Sequence, residues 1–574
     1  MRTLNIDIET FSSVDIGKSG AYKYAMSDDF QILLFAYSVD GQDVKIVDLA
    51  QGEVIPQEVL DLLKDESCIK YAYNAVFEWW CLNMAGIETP LEQWRCTMVH
   101  GLYCGYTAGL AAIGNAMGLP QDKKKLTTGS ALIRYFCIPC NPTKSNGNRT
   151  RNLPQHAPEK WELFKEYCIQ DVVTEMEIGR RLSAFPVPER EWRLWVLDTF
   201  MNAYGVRVDS ELVNGALYID ALSRANLLEE ARDITKLDNP NSTSQLINWL
   251  EEAGEEVENL QKATVEKMVD TLEEGQAKRV LEIRQELSKT SVKKYKAMDE
   301  AMCKDGRVRG LLQFYGANRT GRYAGRLVQV QNLPRNYIET LDIARDVIKK
   351  GDGELLEMLY GNIPDTLSQL IRTAFIPSEG NHFVVSDFSA IEARVIAWLA
   401  GEEWRMEVFK THGKIYEASA SQMFGVPIST IAKGEENYHL RAKGKVAELA
   451  LGYQGSVGAL TAMGAADMGL TDEEMKDIVD RWRKSSKRIV ELWYWSQAPR
   501  AVEVLETGEP QMVKCVKLAR EYDFIYGQDF FTIELPSGRK LFYPKPFLKE
   551  NQFGQLQMHY MGINQTSKKW EIIP

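Results

Sequence analysis

The run "FVVSDFSAIEARVIAWLAG" (383–401) constrains this chain more than any other stretch. Phe383, Val384 and Val385 read as a buried strand, and Asp387 stands at its end. Ile391, Val395 and Leu399 then recur at helical spacing, with Ile396 beside them, so a strand–turn–helix is expected. Glu392 falls near the helix start, where the macrodipole favours an acid. Taken alone, the stretch is satisfied by Asp387 as an N-cap and Glu392 as its dipole partner. The surrounding sequence decides whether the two acids do more.

A second helical stretch, "YHLRAKGKVAELALGYQGSVGAL" (438–460), carries Arg441 and Lys445 four residues apart, hence on one face. Two cations so placed suit a triphosphate, Arg through its fork and Lys as a compact charge. A solvated cationic helix has the same pattern. Gly444 and Gly452 are poor helix formers and imply close packing or close approach.

In "LNIDIET" (4–10), Leu4, Ile6 and Ile8 alternate with Asn5, Asp7 and Glu9. Strand periodicity places Asp7 and Glu9 together on one face. Adjacent carboxylates repel unless a cation sits between them, and oxygen ligands suit Mg²⁺ or Mn²⁺. An exposed edge strand with two solvated acids is an even alternative for the heptapeptide alone. Further along, "KYAYNAVFEWW" places Asn74 and Glu78 after a short apolar strand. A helix expected from Pro158 sets Tyr167 and Asp171 four apart on one face.

These three segments, in this order, resemble the proofreading exonuclease superfamily that uses four acids and a Tyr. Its second motif usually supplies Asp, where this chain has Glu78. The resemblance implies two-metal hydrolysis of a phosphodiester, with Asp7, Glu9 and Asp171 holding Mg²⁺ or Mn²⁺, Glu78 assisting and Tyr167 orienting water.

The other two stretches resemble motifs A and B of family A DNA polymerases. "TGRYAGRLVQVQNLPR" (320–335), "NPNSTSQLINWL", "LSKTSVKKYKAM" and "NAYGVRVD" also resemble parts of that family, so the likeness spans nearly the whole chain. It implies that Asp387 binds two catalytic metals, Glu392 is the steric gate against a 2′-hydroxyl, and Arg441 and Lys445 grip a deoxynucleoside triphosphate. Tyr453 would pack near the templating base, and Arg322, Gln331 and Asn332 would touch primer–template DNA. Departures are Leu449, where an aromatic is frequent, and Lys414, where Asp is expected. The second catalytic Asp of the family, in a His-Asp-Glu turn, has no counterpart here. Three explanations stay open: half of a split polymerase completed by a C-terminal polymerase fragment, an interrupted gene product, or a stand-alone 3′–5′ exonuclease with a DNA-binding polymerase-like body.

The implied architecture is an α/β exonuclease domain over 1–185, with a mixed sheet and flanking helices. An α+β right-hand polymerase domain over 190–574 follows, its palm truncated. The thumb would cover about 209–318, the palm about 319–402 and 505–574, and the fingers about 403–504. Pro-punctuated "FPVPER" (185–190) marks the boundary.

Bulk properties agree. The 574 residues suggest roughly three or four domains. The net charge of −12 argues mildly against nucleic acid, yet basic stretches at 123–151, 284–296 and 319–326 make a directed surface reasonable. Nine Cys in so long a chain make no disulfide framework, and "CIPC" (137–140) without a second pair is more often a loop than a metal site. With no signal peptide or apolar span in the sequence, a reducing cytoplasm is expected, that of a bacterial host if the chain is phage-encoded, and no membrane.

Overall fold

Leu4, Ile6 and Ile8 alternate inward along β1 (Thr3–Phe11), and all three are buried. The strand is central, not an edge. In the computed structural model, β2 (Gln31–Val39) pairs with it antiparallel on one side, followed by β3 (Lys45–Asp48). β4 (Ile69–Ala72) pairs with it parallel on the other side, followed by β5 (Trp94–Cys96), giving the order β3-β2-β1-β4-β5. The structure describes residues 2–289, 292–317, 320–466 and 468–574. Of the basic stretches, Thr290, Ser291 and Arg319 lie outside the described residues.

Two compact units form: Met1–His100, Ala108–Arg180 and Glu189–Phe383 make the first, and Gly101–Thr107, Arg181–Pro188 and Val384–Pro574 the second. Beyond the five-stranded sheet, the first unit is mainly helical from Glu189–Tyr204 to Lys293–Ala301, as the charged amphipathic runs predict. Leu212, Val213, Ala216 and Ile219 of helix Ser210–Thr235 form a core with Tyr295, Met298 and Ile348. The Gly- and Arg-rich stretch after 305 forms short strands, including the hairpin Leu312–Ala317 and Arg322–Gly325.

The second unit joins helices to antiparallel sheets. Helix Ile391–Ala400 follows 383–390 as expected, and Leu440–Leu451 packs on Ile415–Phe424. Gly444 is required there, because a Cβ would overlap the Tyr416 carbonyl oxygen. The hairpin expected around "PSG" is present: Gln528–Glu534 pairs with Lys540–Pro544, and Gly538 takes the left-handed turn conformation.

One expectation fails. Phe383, Val384 and Val385 do not form a buried strand; they are 51%, 86% and 90% exposed. Among the described residues no strand pairs with them, so the apolar run has neither a ladder nor a facing layer. Ile391 and Val395 likewise remain exposed, while Ala397 and Ala400 carry the buried side of that helix. Among the described residues no helix is long and apolar enough to cross a membrane.

Candidate active site

The parallel ladder between β1 and β4 ends at Asn5–Tyr71, so Asp7 and Glu9 lie beyond it on the same strand. The carboxyl ends of parallel strands are where open α/β sheets present their sites. After β4, Asn74 adopts a positive φ of 70°, which Asn tolerates better than most residues, and the chain turns into helix Val76–Met84. Glu78 in its first turn is buried, and its Oε2 has no hydrogen-bond partner among the described residues.

Helix Pro158–Leu182 starts at the proline anticipated for it. Its Tyr167 and Asp171 share a face and are close enough for the Asp171 carboxylate to act on the Tyr167 hydroxyl. Cys168, between them, points its thiol at Asp7, with Sγ 3.5 Å from Oδ2. Ligand atoms of Asp7, Glu9 and Cys168 all lie within 4.8 Å of one another. One turn on, Glu175 fastens the helix to the sheet: Asn5 donates to its Oε2 at 2.7 Å, and the Thr97 hydroxyl to its Oε1.

Burial dominates the electrostatics. It pushes the carboxyls of Asp7, Glu9, Glu78 and Asp171 up, and their mutual repulsion adds to the rise for Asp7, Glu9 and Glu78. Glu175 is raised to about 7 by burial. Tyr167 is raised first by burial and then by Asp171, so its hydroxyl keeps its proton. Opposing charge comes from Lys125, whose ammonium pairs with Asp171 Oδ2 and lies 4.6 Å from the centre of the Tyr167 ring. Asp171 Oδ1 has no partner among the described residues.

Lys125, Cys168 and Glu175 were not singled out in the sequence. Lys125 lay in the basic stretch, but nothing local paired it with Asp171. The "CIPC" cysteines diverge: Cys137 Sγ is 3.9 Å from Glu9 Oε2, whereas Cys140 Sγ faces the Arg149 carbonyl. Among the described residues they share no metal-ligand group, and none of the nine cysteines is in a disulfide.

In the second unit, Asp387 and Glu392 are exposed, and among the described residues Asp387 belongs to no metal-ligand group. Arg441 is held by Glu417 at 2.7 Å; Lys445 and Tyr453 are exposed on and just after the same helix. In the first unit, Arg322, Gln331 and Asn332 are exposed. Asn332 borders a cavity of about 860 Å³ that Lys262, Lys289, Lys293 and Lys294 also line.

A family model described as DNA polymerase family A matches residues 221–500. The DNA polymerase of Bacillus phage SP02 is 54% identical over 570 residues, covering 99% of this chain and 86% of that protein. The chain belongs to DNA polymerase family A. Shorter likenesses join this family A chain to the thermostable DNA polymerase I of Thermus aquaticus, 48% identical over 68 residues (12% of the chain, 8% of that protein). DNA polymerase I of Borreliella burgdorferi is 28% identical over 173 residues, covering 29% of the chain and 18% of that protein. The family A fold is also that of the POL domain of Pol1 from M. smegmatis, in complex with DNA primer-template and dNTP. The two align with a TM-score of 0.55 at 16% identity, over 95% of this chain and 78% of that one.

Proposed function

We propose that this family A chain is a template-directed DNA polymerase that also removes nucleotides from a 3′ end. The observation that carries the second activity is the convergence of Asp7, Glu9, Glu78, Tyr167 and Asp171, from three distant segments, around one strand of the first unit. Buried acids with raised pKa values and orphaned oxygens on Glu78 and Asp171 have the chemistry of a site for divalent cations, and the donors suit Mg²⁺ or Mn²⁺. Asp7, Glu9 and Asp171 would hold two such ions, with Glu78 assisting. When bound, these would supply an activated water and charge stabilisation at both oxygens of a phosphodiester. Tyr167, protonated and close to Asp171, would orient the water.

We assign synthesis to the polymerase part over 190–574, a reading that membership of family A supports. Asp387 would be its metal-binding acid, Glu392 the gate for the sugar, and Arg441 and Lys445 the grip on the triphosphate, once Arg441 leaves Glu417. Tyr453 would pack near the templating base. Arg322, Gln331 and Asn332 would meet primer–template, an assignment supported by the lysines around Asn332. A palm at about 319–402 and 505–574, a thumb at about 209–318 and fingers at about 403–504 remain our division of the polymerase part.

A stand-alone 3′–5′ exonuclease is the second reading. It is favoured by the contrast between the buried, assembled acids around Asp7 and the exposed Asp387. A 5′-labelled primer–template with Mg²⁺ and deoxynucleotides separates the two. Extension that disappears in Asp387→Ala supports the polymerase; shortening with no extension supports the second reading.

A further inference from the structure

Lys125 is set in a short loop between the turn Gln121–Lys123 and helix Gly129–Phe136. The loop is tied to the helix bearing Tyr167 and Asp171, since the Gln170 side chain donates to the Asp122 carbonyl at 3.0 Å. The Lys125 ammonium therefore arrives at Asp171 on a fixed tether. It pairs with Oδ2, and it also lies over the Tyr167 ring, a second favourable seat for a cation. Its side chain is 25% exposed while that of Asp171 is 6% exposed, so it enters from the solvent side of a buried acid. Asp171 Oδ1 and Glu78 Oε2 stay without partners among the described residues, which leaves acceptor capacity that one ammonium does not satisfy.

We propose that Lys125 is an internal cation that competes with divalent metal for Asp171 and so sets the metal concentration at which the site becomes active. This rests on the nuclease reading above. A divalent ion bound at Asp171, through Oδ1 or Oδ2, meets the Lys125 ammonium on the same carboxylate, so loading the site works against that pair. The lysine thus neutralises the acids at low metal and weakens metal binding by the strength of its own contact. The cost is local and reversible, because the partly exposed lysine can swing into water.

The test is a Mn²⁺ titration of the full chain, with free Mn²⁺ followed by electron paramagnetic resonance. It is run on the wild type, Lys125→Met, Lys125→Arg and Asp7→Ala. Lys125→Met should bind Mn²⁺ about tenfold more tightly, the scale of one charge-assisted hydrogen bond. Half-maximal shortening of a single strand should come at correspondingly lower Mn²⁺, and Lys125→Arg should stay near the wild type on both readouts. Unchanged or weaker Mn²⁺ binding in Lys125→Met, in a protein that melts like the wild type, overturns the proposal while leaving the nuclease intact. Wild type that binds no Mn²⁺ beyond Asp7→Ala overturns the nuclease reading and this proposal with it.

Discussion

The α-carbon of Gly129 lies directly against the ring of Tyr167, so close that a Cβ at this position would overlap the ring carbons. Glycine opens the helix Gly129–Phe136 for this reason, since its φ is ordinary and no turn requires it. Tyr167 also stacks on Phe164 with an interplanar angle of 11°. The ring is thus held in place on the helix that also carries Asp171.

Gly129→Ala should therefore act on chemistry through Tyr167. Overpacking of this kind costs about 1–3 kcal/mol of stability. Strand shortening should fall at least about tenfold, as a misplaced catalytic group does, while primer extension stays near the wild-type rate. Equal nuclease rates in the two proteins would show that the ring position does not matter.

Glu175 predicts a pH effect on stability. Its folded pKa of about 7 lies above the ordinary 4.5, so the folded state holds the proton more tightly. Its contribution is fully present below about pH 4.5 and is lost as pH rises through 7. Glu175→Gln removes that loss. The variant should match the wild type at pH 4.5 and gain on the order of 3 kcal/mol at pH 8. Denaturant melts at the two pH values check this, and a gain independent of pH would contradict it.

Metal should reverse a second pH trend. The raised carboxyls of Asp7, Glu9 and Glu78 mean that the metal-free protein is destabilised as pH rises and these groups ionise. A divalent cation binds the ionised forms. The rise in melting temperature on replacing EDTA with Mg²⁺ should therefore be larger at pH 8 than at pH 5. An equal rise at both would place the binding elsewhere.

A buried network in the second unit gives a stability test of its own. The Glu448 carboxylate accepts from Arg405 at 2.5 Å, from the Ser419 hydroxyl at 2.7 Å and from the Trp482 indole at 2.8 Å. Arg405 is fully buried. Glu448→Ala leaves that guanidinium without its counter-charge and should cost about 3–5 kcal/mol. A loss under about 1 kcal/mol would mean that water or a neighbour replaces the carboxylate.

Local periodicity made much of the carboxylate site legible. Alternation in "LNIDIET" placed Asp7 and Glu9 on one face, and the four-residue spacing of Tyr167 and Asp171 placed them on another. Lys125 and Cys168 escaped because their partners, Asp171 and Asp7, are set by how a loop and a helix dock, which no spacing encodes. The run 383–385 misled for the opposite reason. An apolar run gives the side chains that could be buried but not whether another strand covers them, and here none does among the described residues.

The central claim is that the acids around Asp7 cut DNA from the 3′ end. The most direct measurement is digestion of a 5′-labelled single strand in Mg²⁺ by the wild type, Asp7→Ala and Asp171→Ala. The account predicts stepwise shortening by the wild type and a loss of at least about a hundredfold in either variant, as removal of a metal-binding acid implies. Shortening that persists in both variants, or that is absent from the wild type, would contradict it.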